Sequence, residues 1–293
     1  MKLLITGASG LLGTKLCEIA LRKNHEVYSV YSQHKPLYGT PVRLDILNLK
    51  AVRQTLDKTK PEAVVHAAAL TDVDKCELEK ELAWKTNVEG TRNIALSCSK
   101  ANAKLVYIST DYVFDGEKGN YEEEDEPNPM DYYGVTKLEG EKQAIQHCKN
   151  YAILRTSVIY GWHPWKQNFV TWIVSQLRQN EEISVVEDHY NTPTLADNLA
   201  EMVLEALQRG LKGLYHASGS ERISRYEFAK KIAESFQLDS SLIKPVRMSQ
   251  LAAWIARRPR DSSLSTDKIR KQLRTRPLNI TEGLNRMKTE EKT

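Results

Sequence analysis

The sequence has little cysteine and places it without pattern. Its 293 residues include four cysteines, and none of them forms the Cys-x-x-Cys pair that is typical of metal-binding or redox sites. The thiols are Cys17, Cys76, Cys98 and Cys148. Scattered thiols argue against a disulfide framework and indicate a reducing compartment. We therefore expect a cytoplasmic protein without a metal site.

Long hydrophobic runs are also lacking. No stretch approaches the roughly 18 consecutive apolar residues that a membrane-spanning helix needs. The opening residues, MKLLI, are mostly apolar, but they are too few for the core of a signal peptide. We therefore expect no membrane association. The hydrophobic share of 41% and the charged share of 27% are typical of a globular protein.

Positive charge is concentrated near the C-terminus. Residues 257–293 hold eleven Lys or Arg against five Asp or Glu, whereas the whole chain carries a net charge of only +4. Such a segment could bind nucleic acid, hold a phosphate-bearing ligand, or lie solvated on the surface. Because no nucleic-acid-binding motif accompanies it, we expect no nucleic-acid partner, and the other two interpretations stay open.

Apolar runs alternate with helical patterns over the first 160 residues. The predicted strands are Lys2–Thr6, Glu26–Tyr31, Val42–Leu44, Ala63–His66, Lys104–Ser109 and Tyr151–Thr156. The predicted helices are Leu11–Lys23, Asp74–Lys100 and Asp131–His147. This alternation predicts a parallel sheet covered by helices on both faces. The fold class is therefore α/β, with a Rossmann-type doubly wound dinucleotide-binding domain over residues 1–160.

The pattern changes after Gly161. Helices are predicted near 166–178, 195–208 and 225–236, with short strands at Ile183–Val186 and Leu214–His216 between them. We expect residues 161–293 to form mainly a smaller substrate-binding lobe. Because no low-complexity linker precedes it, this lobe should pack on the first domain, and elements can cross between the two.

A glycine-rich segment directly follows the first predicted strand. Residues 7–13 read GASGLLG and lead into a helical pattern. The three glycines allow a tight turn, close approach of the backbone to a pyrophosphate, and close packing of helix on strand. The helix N-terminus offers free N–H groups to phosphates. We predict a dinucleotide site with contacts from Gly7, Ser9, Gly10, Leu11, Leu12 and Gly13.

The end of the second predicted strand lacks a carboxylate. An acidic residue there would bind the adenosine ribose 2′-hydroxyl and favour NAD, but residues 31–35 read YSQHK. Ser32, His34 and Lys35 suit a 2′-phosphate, so we predict NADP as the preferred cofactor and keep NAD as the alternative. Further cofactor contacts are expected from Asp45, Ile46, Ala67, Ala68 and Ala69.

A Tyr-x-x-x-Lys pair occurs three times, at Tyr31/Lys35, Tyr133/Lys137 and Tyr226/Lys230. Only Tyr133 and Lys137 lie on a helix directly after the fifth predicted strand, and positions i and i+4 share one helix face. A lysine ammonium there, beside an oxidised nicotinamide, could lower the pKa of Tyr133 from about 10 and make the phenol a general acid or base. A hydroxyl at the end of the fifth strand would face the nicotinamide, and we favour Thr110 over Ser109 for this role.

Several of these segments together resemble a known family. They are ISTDYVFDG at 108–116, AAALTDVDK at 67–75, YGVTKLEGE at 133–141 and LRTS at 154–157. All four are similar to signatures of the dTDP-4-dehydrorhamnose reductases, which are extended short-chain dehydrogenases/reductases, and the resemblance spans residues 1 to about 270. It implies NAD(P)H-dependent reduction of the 4-keto group of a nucleotide-linked sugar, here dTDP-4-dehydro-L-rhamnose to dTDP-L-rhamnose.

The resemblance also implies roles for single residues. Tyr133 would donate the proton to the sugar oxygen, Lys137 would hold the nicotinamide ribose, and Thr110 would orient the substrate. Substrate contacts are further expected from Asp111, Asn168, Arg258 and Arg260. The two arginines are expected to pair with the substrate pyrophosphate, because a guanidinium suits bidentate phosphate contacts.

Two positions depart from the family pattern. Val158 stands where members often have tryptophan, and Asn191 stands where many have glycine. Both are expected in the substrate pocket, where they loosen the assignment of the sugar. Trp162 and Trp165 are candidates for a substitute aromatic surface, with ordinary loop packing as the alternative.

Two other functions stay open. Another nucleotide-sugar reductase or an epimerase of the same fold would carry the same motifs, and an epimerase would retain its cofactor. The regulatory β subunit of methionine adenosyltransferase also resembles these reductases and is a dinucleotide-binding partner protein. The presence of Thr110, Tyr133 and Lys137 argues for catalysis, although fold analogy alone does not fix function. A homodimer is possible, but the sequence does not determine the oligomeric state.

Overall fold

Strands and helices alternate along the first half of the computed structural model, which describes residues 1–250 and 254–291. The elements are β1 (Lys2–Thr6), α1 (Leu11–Arg22), β2 (Glu26–Tyr31), β3 (Thr40–Arg43), α2 (Leu49–Thr59), β4 (Ala63–His66), α3 (Val73–Leu78), α4 (Lys80–Trp84), α5 (Gly90–Ala101), β5 (Lys104–Thr110), α6 (Tyr132–His147), β6 (Tyr151–Thr156) and β7 (Ile159–Tyr160). A π-helical turn over Lys85–Glu89 joins α4 to α5.

The second half contains shorter strands between its helices. The elements are α7 (Phe169–Arg178), β8 (Ile183–Val186), β9 (Tyr190–Asn191), β10 (Thr194–Leu195), α8 (Ala196–Gln208), β11 (Gly213–His216), β12 (Ile223–Ser224), α9 (Arg225–Phe236), β13 (Ile243–Val246), α10 (Asp267–Arg270) and α11 (Ile280–Thr289).

Seven strands form one parallel sheet at the centre of the molecule. Their order is β11-β6-β5-β4-β1-β2-β3, and each neighbouring pair is parallel. Helices α1 and α8 pack on one face, and α2, α5 and α6 pack on the other. The predicted doubly wound α/β fold is therefore confirmed. The strand order reverses between β1 and β4, and such a switch point opens a crevice at the carboxyl ends of the strands.

The second half of the chain completes this sheet. β11 pairs with β6 at the sheet edge, and α8 packs against α1 in the same hydrophobic cluster. A second cluster holds α7, α9 and α11 together with β8 and β13. Segments of residues 161–293 are thus divided between the central sheet and a separate small lobe.

Several elements differ from the sequence prediction. The single helix expected over 74–100 is three helices and a π-helical turn, and β3 begins at Thr40 and not at Val42. Helices α2 and α11 were not predicted, although Asn48 and Asn279 cap their N-termini. Within the described parts of the chain, no helix combines the length and apolar character needed to cross a membrane.

Candidate active site

A cleft with a cavity volume of about 870 Å³ lies at the carboxyl ends of the central strands. The predicted cofactor residues other than Lys35 line it, and so do four of the six predicted substrate residues. The cofactor residues are Gly7, Ser9, Gly10, Leu11, Leu12, Gly13, Ser32, His34, Asp45, Ile46, Ala67, Ala68, Ala69, Tyr133 and Lys137, and the substrate residues are Thr110, Asp111, Tyr133 and Asn168. The fold thus gathers residues from β1, β2, β4, β5 and α6 around one cavity.

The glycine-rich loop fits a pyrophosphate. Gly7 has φ of +69°, and a Cβ on it would lie 2.8 Å from the carbonyl carbon of Ala67, so a side chain is excluded there. A Cβ on Gly13 would overlap the carbonyl oxygen of Gly7. Gly10 begins α1 without a side-chain cap, and the first turn holds no acidic residue. The N–H groups of this helix end therefore face the cleft, where an anion can accept them.

The end of β2 supplies hydroxyl and imidazole groups to the cleft. Ser32, Gln33 and His34 line it, and Lys35 does not. Asp45 lies beyond β3, and one of its carboxylate oxygens accepts a hydrogen bond from the backbone N–H of Leu47 at 3.0 Å. The lack of an acidic side chain at the end of β2 is the feature on which the choice between the two cofactors depends.

A buried polar chain supports the loops around the cleft. His66 bonds to Thr6 at 2.7 Å through Nδ1 and to Thr91 at 3.1 Å through Nε2. The Thr6 hydroxyl accepts the N–H of Ala68 at 3.2 Å. Burial lowers the pKa of His66 to about 3, so its ring is neutral and holds the glycine loop beside the end of β4.

Asn87 is a positioning residue that the sequence analysis missed. It lies in the π-helical turn, where its Oδ1 accepts the N–H of Leu70 at 2.8 Å and its Nδ2 donates to the Leu70 carbonyl at 3.0 Å. The same amide donates to the hydroxyl of Thr136 at 2.9 Å. One side chain therefore ties the loop after β4 to helix α6, a link between distant segments that no local spacing indicates.

Helix α6 carries the predicted Tyr and Lys. Asp131 caps this helix through a hydrogen bond from the N–H of Gly134 at 2.8 Å. The Nζ of Lys137 is buried, donates to the carbonyl of Ile108 at 2.7 Å, and lies 4.1 Å from the ring centroid of Tyr107. Burial lowers the pKa of Lys137 to about 7. Its ammonium is thus held beneath the end of β5.

Tyr133 differs from the expectation in one respect. Burial is the largest influence on its pKa and raises it well above the usual value, while a hydrogen bond with Thr110 lowers it. The Tyr-x-x-x-Lys spacing predicted that Lys137 lowers this pKa, but in the structure the ammonium faces Ile108 and Tyr107. A buried phenol with a raised pKa holds its proton, as a proton donor must before the reaction.

The two candidate hydroxyls at the end of β5 have different surroundings. Ser109 donates to Oε1 of Glu141 at 2.6 Å, and Arg155 also binds that carboxylate, with both oxygens engaged, at 2.9 and 2.8 Å. Thr110 instead lies beside Tyr133. Successive side chains of a strand point to opposite faces. Thr110 therefore lies on the side of Tyr133, where its hydroxyl also bonds to Asp111 and to the N–H of Tyr112, whereas Ser109 is held by Glu141.

Asp111 is held by hydroxyl groups. Its Oδ1 accepts Thr110 at 3.1 Å, and its Oδ2 accepts Ser157 at 2.7 Å and Ser262 at 2.6 Å. Burial raises the pKa of this carboxyl. The carboxylate therefore ties together β5, the end of β6 and the C-terminal segment, in addition to lining the cleft.

The two residues that depart from the family pattern, and the two candidate tryptophans, differ in whether they line the cleft. Val158 lines the cleft with φ of +41°, which is unusual for a β-branched residue. Trp165 lines the cleft, whereas Trp162 donates to the carbonyl of Met287 and packs in the small lobe. The expectation for Asn191 was wrong, because this side chain is fully buried and donates to Ser262 at 2.9 Å outside the cleft lining.

Two predicted substrate residues, Arg258 and Arg260, do not line the cleft. A third, Asn168, lines it but uses its amide group in hydrogen bonds within the protein. Arg258 forms an ion pair with Asp74 at 3.0 Å, and Arg260 is exposed. Distant pairing of this kind is invisible in a sequence. Asn168 caps α7, and its Nδ2 donates to the carbonyl of Gly161 at 2.7 Å. By contrast, Arg225 lines the cleft although the sequence analysis did not select it.

Comparison with known proteins gives matches over nearly the whole chain. The family model described as the RmlD substrate binding domain matches residues 1–292. A solved structure of dTDP-4-dehydrorhamnose reductase from Bacillus anthracis, in complex with NADP, has a TM-score of 0.90 at 34% identity and covers 99% of each chain.

Two curated relatives have different names. The probable low-salt glycan biosynthesis reductase Agl14 of Haloferax volcanii is 34% identical over 274 residues, which are 92% of this chain and 91% of the relative. Methionine adenosyltransferase 2 subunit beta of Bos taurus is 33% identical over 276 residues, which are 92% of this chain and 81% of the relative.

Proposed function

The chain belongs to the RmlD substrate binding domain family, and on that premise we propose that it reduces the 4-keto group of a nucleotide-linked sugar with NAD(P)H. The proposed substrate is dTDP-4-dehydro-L-rhamnose and the product is dTDP-L-rhamnose. A reductase from Bacillus anthracis with that substrate in its name covers 99% of this chain. The relative from Haloferax volcanii also carries the name of a reductase.

One observation carries this proposal: Thr110, Tyr133 and Lys137 share one cleft with the glycine-rich loop. The loop supplies N–H groups at the end of α1 for the phosphates of a dinucleotide. The strand ends between the loop and Tyr133 are lined by small side chains at Ala67, Ala68 and Ala69. A dinucleotide bound along this path would place its nicotinamide near the hydroxyl groups.

The proposed chemistry divides between the cofactor and the side chains. When bound, the dinucleotide supplies the hydride for the sugar C4. Tyr133 holds a proton and donates it to the C4 oxygen, since burial raises the pKa of its phenol. Thr110 lies beside this phenol and orients the same oxygen. Lys137 holds the nicotinamide ribose. The hydrogen bond from its Nζ to the carbonyl of Ile108 in β5 also keeps in place the face of α6 that carries Tyr133.

NADP is the proposed preferred cofactor. Ser32 and His34 line the cleft at the end of β2, where a carboxylate would favour NAD. The Bacillus anthracis neighbour was solved with NADP. The ratio of turnover with NADPH to turnover with NADH tests this choice.

A regulatory role is the second candidate function. It is favoured by the relative named as the beta subunit of methionine adenosyltransferase 2, which is 33% identical to this chain. A partner protein of that kind would bind a dinucleotide without turnover. Copurification with a methionine adenosyltransferase, together with absence of substrate-dependent NADPH oxidation, would favour this candidate over the reductase.

The test of the reductase proposal compares two tyrosines with the same Tyr-x-x-x-Lys spacing. Tyr133→Phe should lower kcat by about 10²–10⁴-fold, because it removes the proton donor, and should leave the Kd for NADPH unchanged. Tyr226→Phe is the matched control, because Tyr226 packs against the small lobe and lies outside the cleft lining. The assay follows NADPH absorbance with dTDP-4-dehydrorhamnose. Equal kcat in both variants would remove Tyr133 from the reaction.

A further inference from the structure

Arg225 opens helix α9 at the edge of the cleft. The preceding Ser224 caps this helix through a hydrogen bond from the N–H of Glu227 at 3.1 Å. The backbone N–H of Arg225 donates to the carbonyl of His189 at 2.9 Å. Two backbone anchors therefore fix the start of the helix, and its first side chain lines the cleft together with Asp111 and Tyr112.

The guanidinium of Arg225 has an aromatic neighbour and, within the described parts of the chain, no anionic partner. Its central carbon lies 4.8 Å from the ring centroid of Phe169. Among residues 1–250 and 254–291, no ion pair or side-chain hydrogen bond involves this guanidinium. Burial lowers its pKa, and the charge of Asp111 opposes that effect. Arg225 is half-buried and lines the cleft. A partly desolvated charge without a partner is costly, so the site favours an anion from solution.

Asp111 is not that partner. Its two carboxylate oxygens accept the hydroxyl groups of Thr110, Ser157 and Ser262. Tyr112, the other close neighbour of Arg225 in the cleft, bears a phenol whose pKa burial raises, so it stays neutral. The positive charge of Arg225 is therefore not matched by a bound carboxylate.

The other cations of the cleft and its surroundings differ from Arg225. Arg258 is paired with Asp74 at 3.0 Å and lies outside the cleft lining. Lys137 is bonded to the carbonyl of Ile108. Lys166 lies in the same loop as His163. The Nε2 of His163 is 3.5 Å from the hydroxyl of Thr14, near the start of α1. Arg225 is thus the arginine available beside Asp111, away from the glycine loop.

We propose that Arg225 is a substrate-binding residue whose guanidinium binds the diphosphate of the nucleotide sugar. This inference rests on the proposed function, because it names the anion of the substrate in the same cleft. The N–H groups on the edge of a guanidinium can donate two parallel hydrogen bonds to two phosphate oxygens. Its flat face can stay on the Phe169 ring at the same time. The cleft then has two anion sites: the end of α1 for the cofactor, and Arg225 for the substrate.

The experiment measures binding and not turnover. The Kd values of dTDP, UDP and thymidine are determined by calorimetry on the full chain saturated with NADPH. Arg225→Gln should raise the Kd of the nucleoside diphosphates by about tenfold or more, since hydrogen bonds to charged groups are the strong ones, and should leave that of thymidine unchanged. Arg225→Lys should recover part of the loss, because the charge returns without the planar fork.

Arg222→Gln is the matched control. Arg222 lies three residues earlier, is half exposed, and forms an ion pair with Asp261 outside the cleft lining. Its substitution should leave the Kd of dTDP unchanged. The Kd of NADPH and the Tm show that each variant is folded. Should Arg225→Gln fail to fold, Arg225→Lys and the salt dependence of dTDP binding to the wild-type chain provide the same comparison.

The outcomes separate this inference from the proposed function. Unchanged dTDP and UDP affinities in Arg225→Gln would overturn the inference, as would nucleoside diphosphates that bind the wild type no better than thymidine. Loss of affinity for the sugar nucleotide alone, with dTDP affinity retained, would place the Arg225 contact on the sugar and not on the diphosphate, and would also overturn it. Arg225-dependent dTDP binding without NADPH oxidation would support the inference while the reductase proposal fails.

Discussion

Breaking the buried ion pair of Glu141 and Arg155 should be strongly destabilising. Both side chains are at most 4% exposed, and two hydrogen bonds of 2.9 and 2.8 Å join them. Glu141→Leu would leave the guanidinium uncompensated and would remove the acceptor of the Ser109 hydroxyl. Removing one partner of a buried pair costs about 3–5 kcal/mol, a substantial part of the roughly 5–15 kcal/mol that stabilises a typical domain.

Urea denaturation followed by circular dichroism measures this effect. The matched control is Glu139→Leu on the same helix, because Glu139 pairs with Lys142 at the surface, and such pairs contribute about 0–1 kcal/mol. The double variant Glu141→Leu/Arg155→Leu should be more stable than Glu141→Leu alone, since it leaves no unpaired charge. A free energy of unfolding for Glu141→Leu within about 1 kcal/mol of wild type would refute the reasoning.

Two further predictions concern the loop and the lysine. Gly13→Ala should weaken NADPH binding about tenfold or more, because its Cβ would overlap the Gly7 carbonyl. The control Gly210→Ala strains a backbone φ of +68°, but its Cβ meets no atom within 4 Å and it lies outside the cleft lining. It should therefore keep the wild-type Kd in the same fluorescence titration, and a shared loss of affinity would contradict the packing argument. Burial lowers the pKa of Lys137 to about 7 in the folded chain, whereas an unfolded lysine titrates near about 10.4. The unfolded chain binds more protons between these values, so the unfolding free energy of the cofactor-free protein should rise with pH across that window. Lys137→Met should show a smaller rise, and equal slopes in both proteins would contradict the assignment.

The sequence could predict the sheet because its signals are local. β2, β4 and β6 have the predicted bounds, since short apolar runs between polar segments suffice to mark buried parallel strands. The glycine-rich loop could be predicted equally well, because the spacing of its glycines and its position directly after β1 are enough to indicate a phosphate site. Helix α11 had a usable signal that was overlooked: Asn279 and Glu282 form a capping box, and Ile280, Leu284 and Met287 form its buried stripe.

The substrate end of the cleft could not be predicted in the same way. Its arrangement depends on contacts between distant segments, such as the ion pair that holds Arg258 against Asp74. Composition marks residues 257–293 as basic, but it does not tell which arginine is neutralised. Arg225 lies in an ordinary amphipathic helix, and only the packing of β12 and α9 brings it to the cleft beside Asp111.

The most direct test of the central claim follows the hydride itself. NADPH carrying deuterium at the transferred position of its nicotinamide is incubated with the protein and dTDP-4-dehydrorhamnose, and the sugar product is analysed by mass spectrometry and NMR. The account predicts deuterium at C4 of the product sugar and one oxidised cofactor for each sugar reduced. Exchange of sugar isomers without net oxidation, or bound NADPH that is never oxidised, would contradict it.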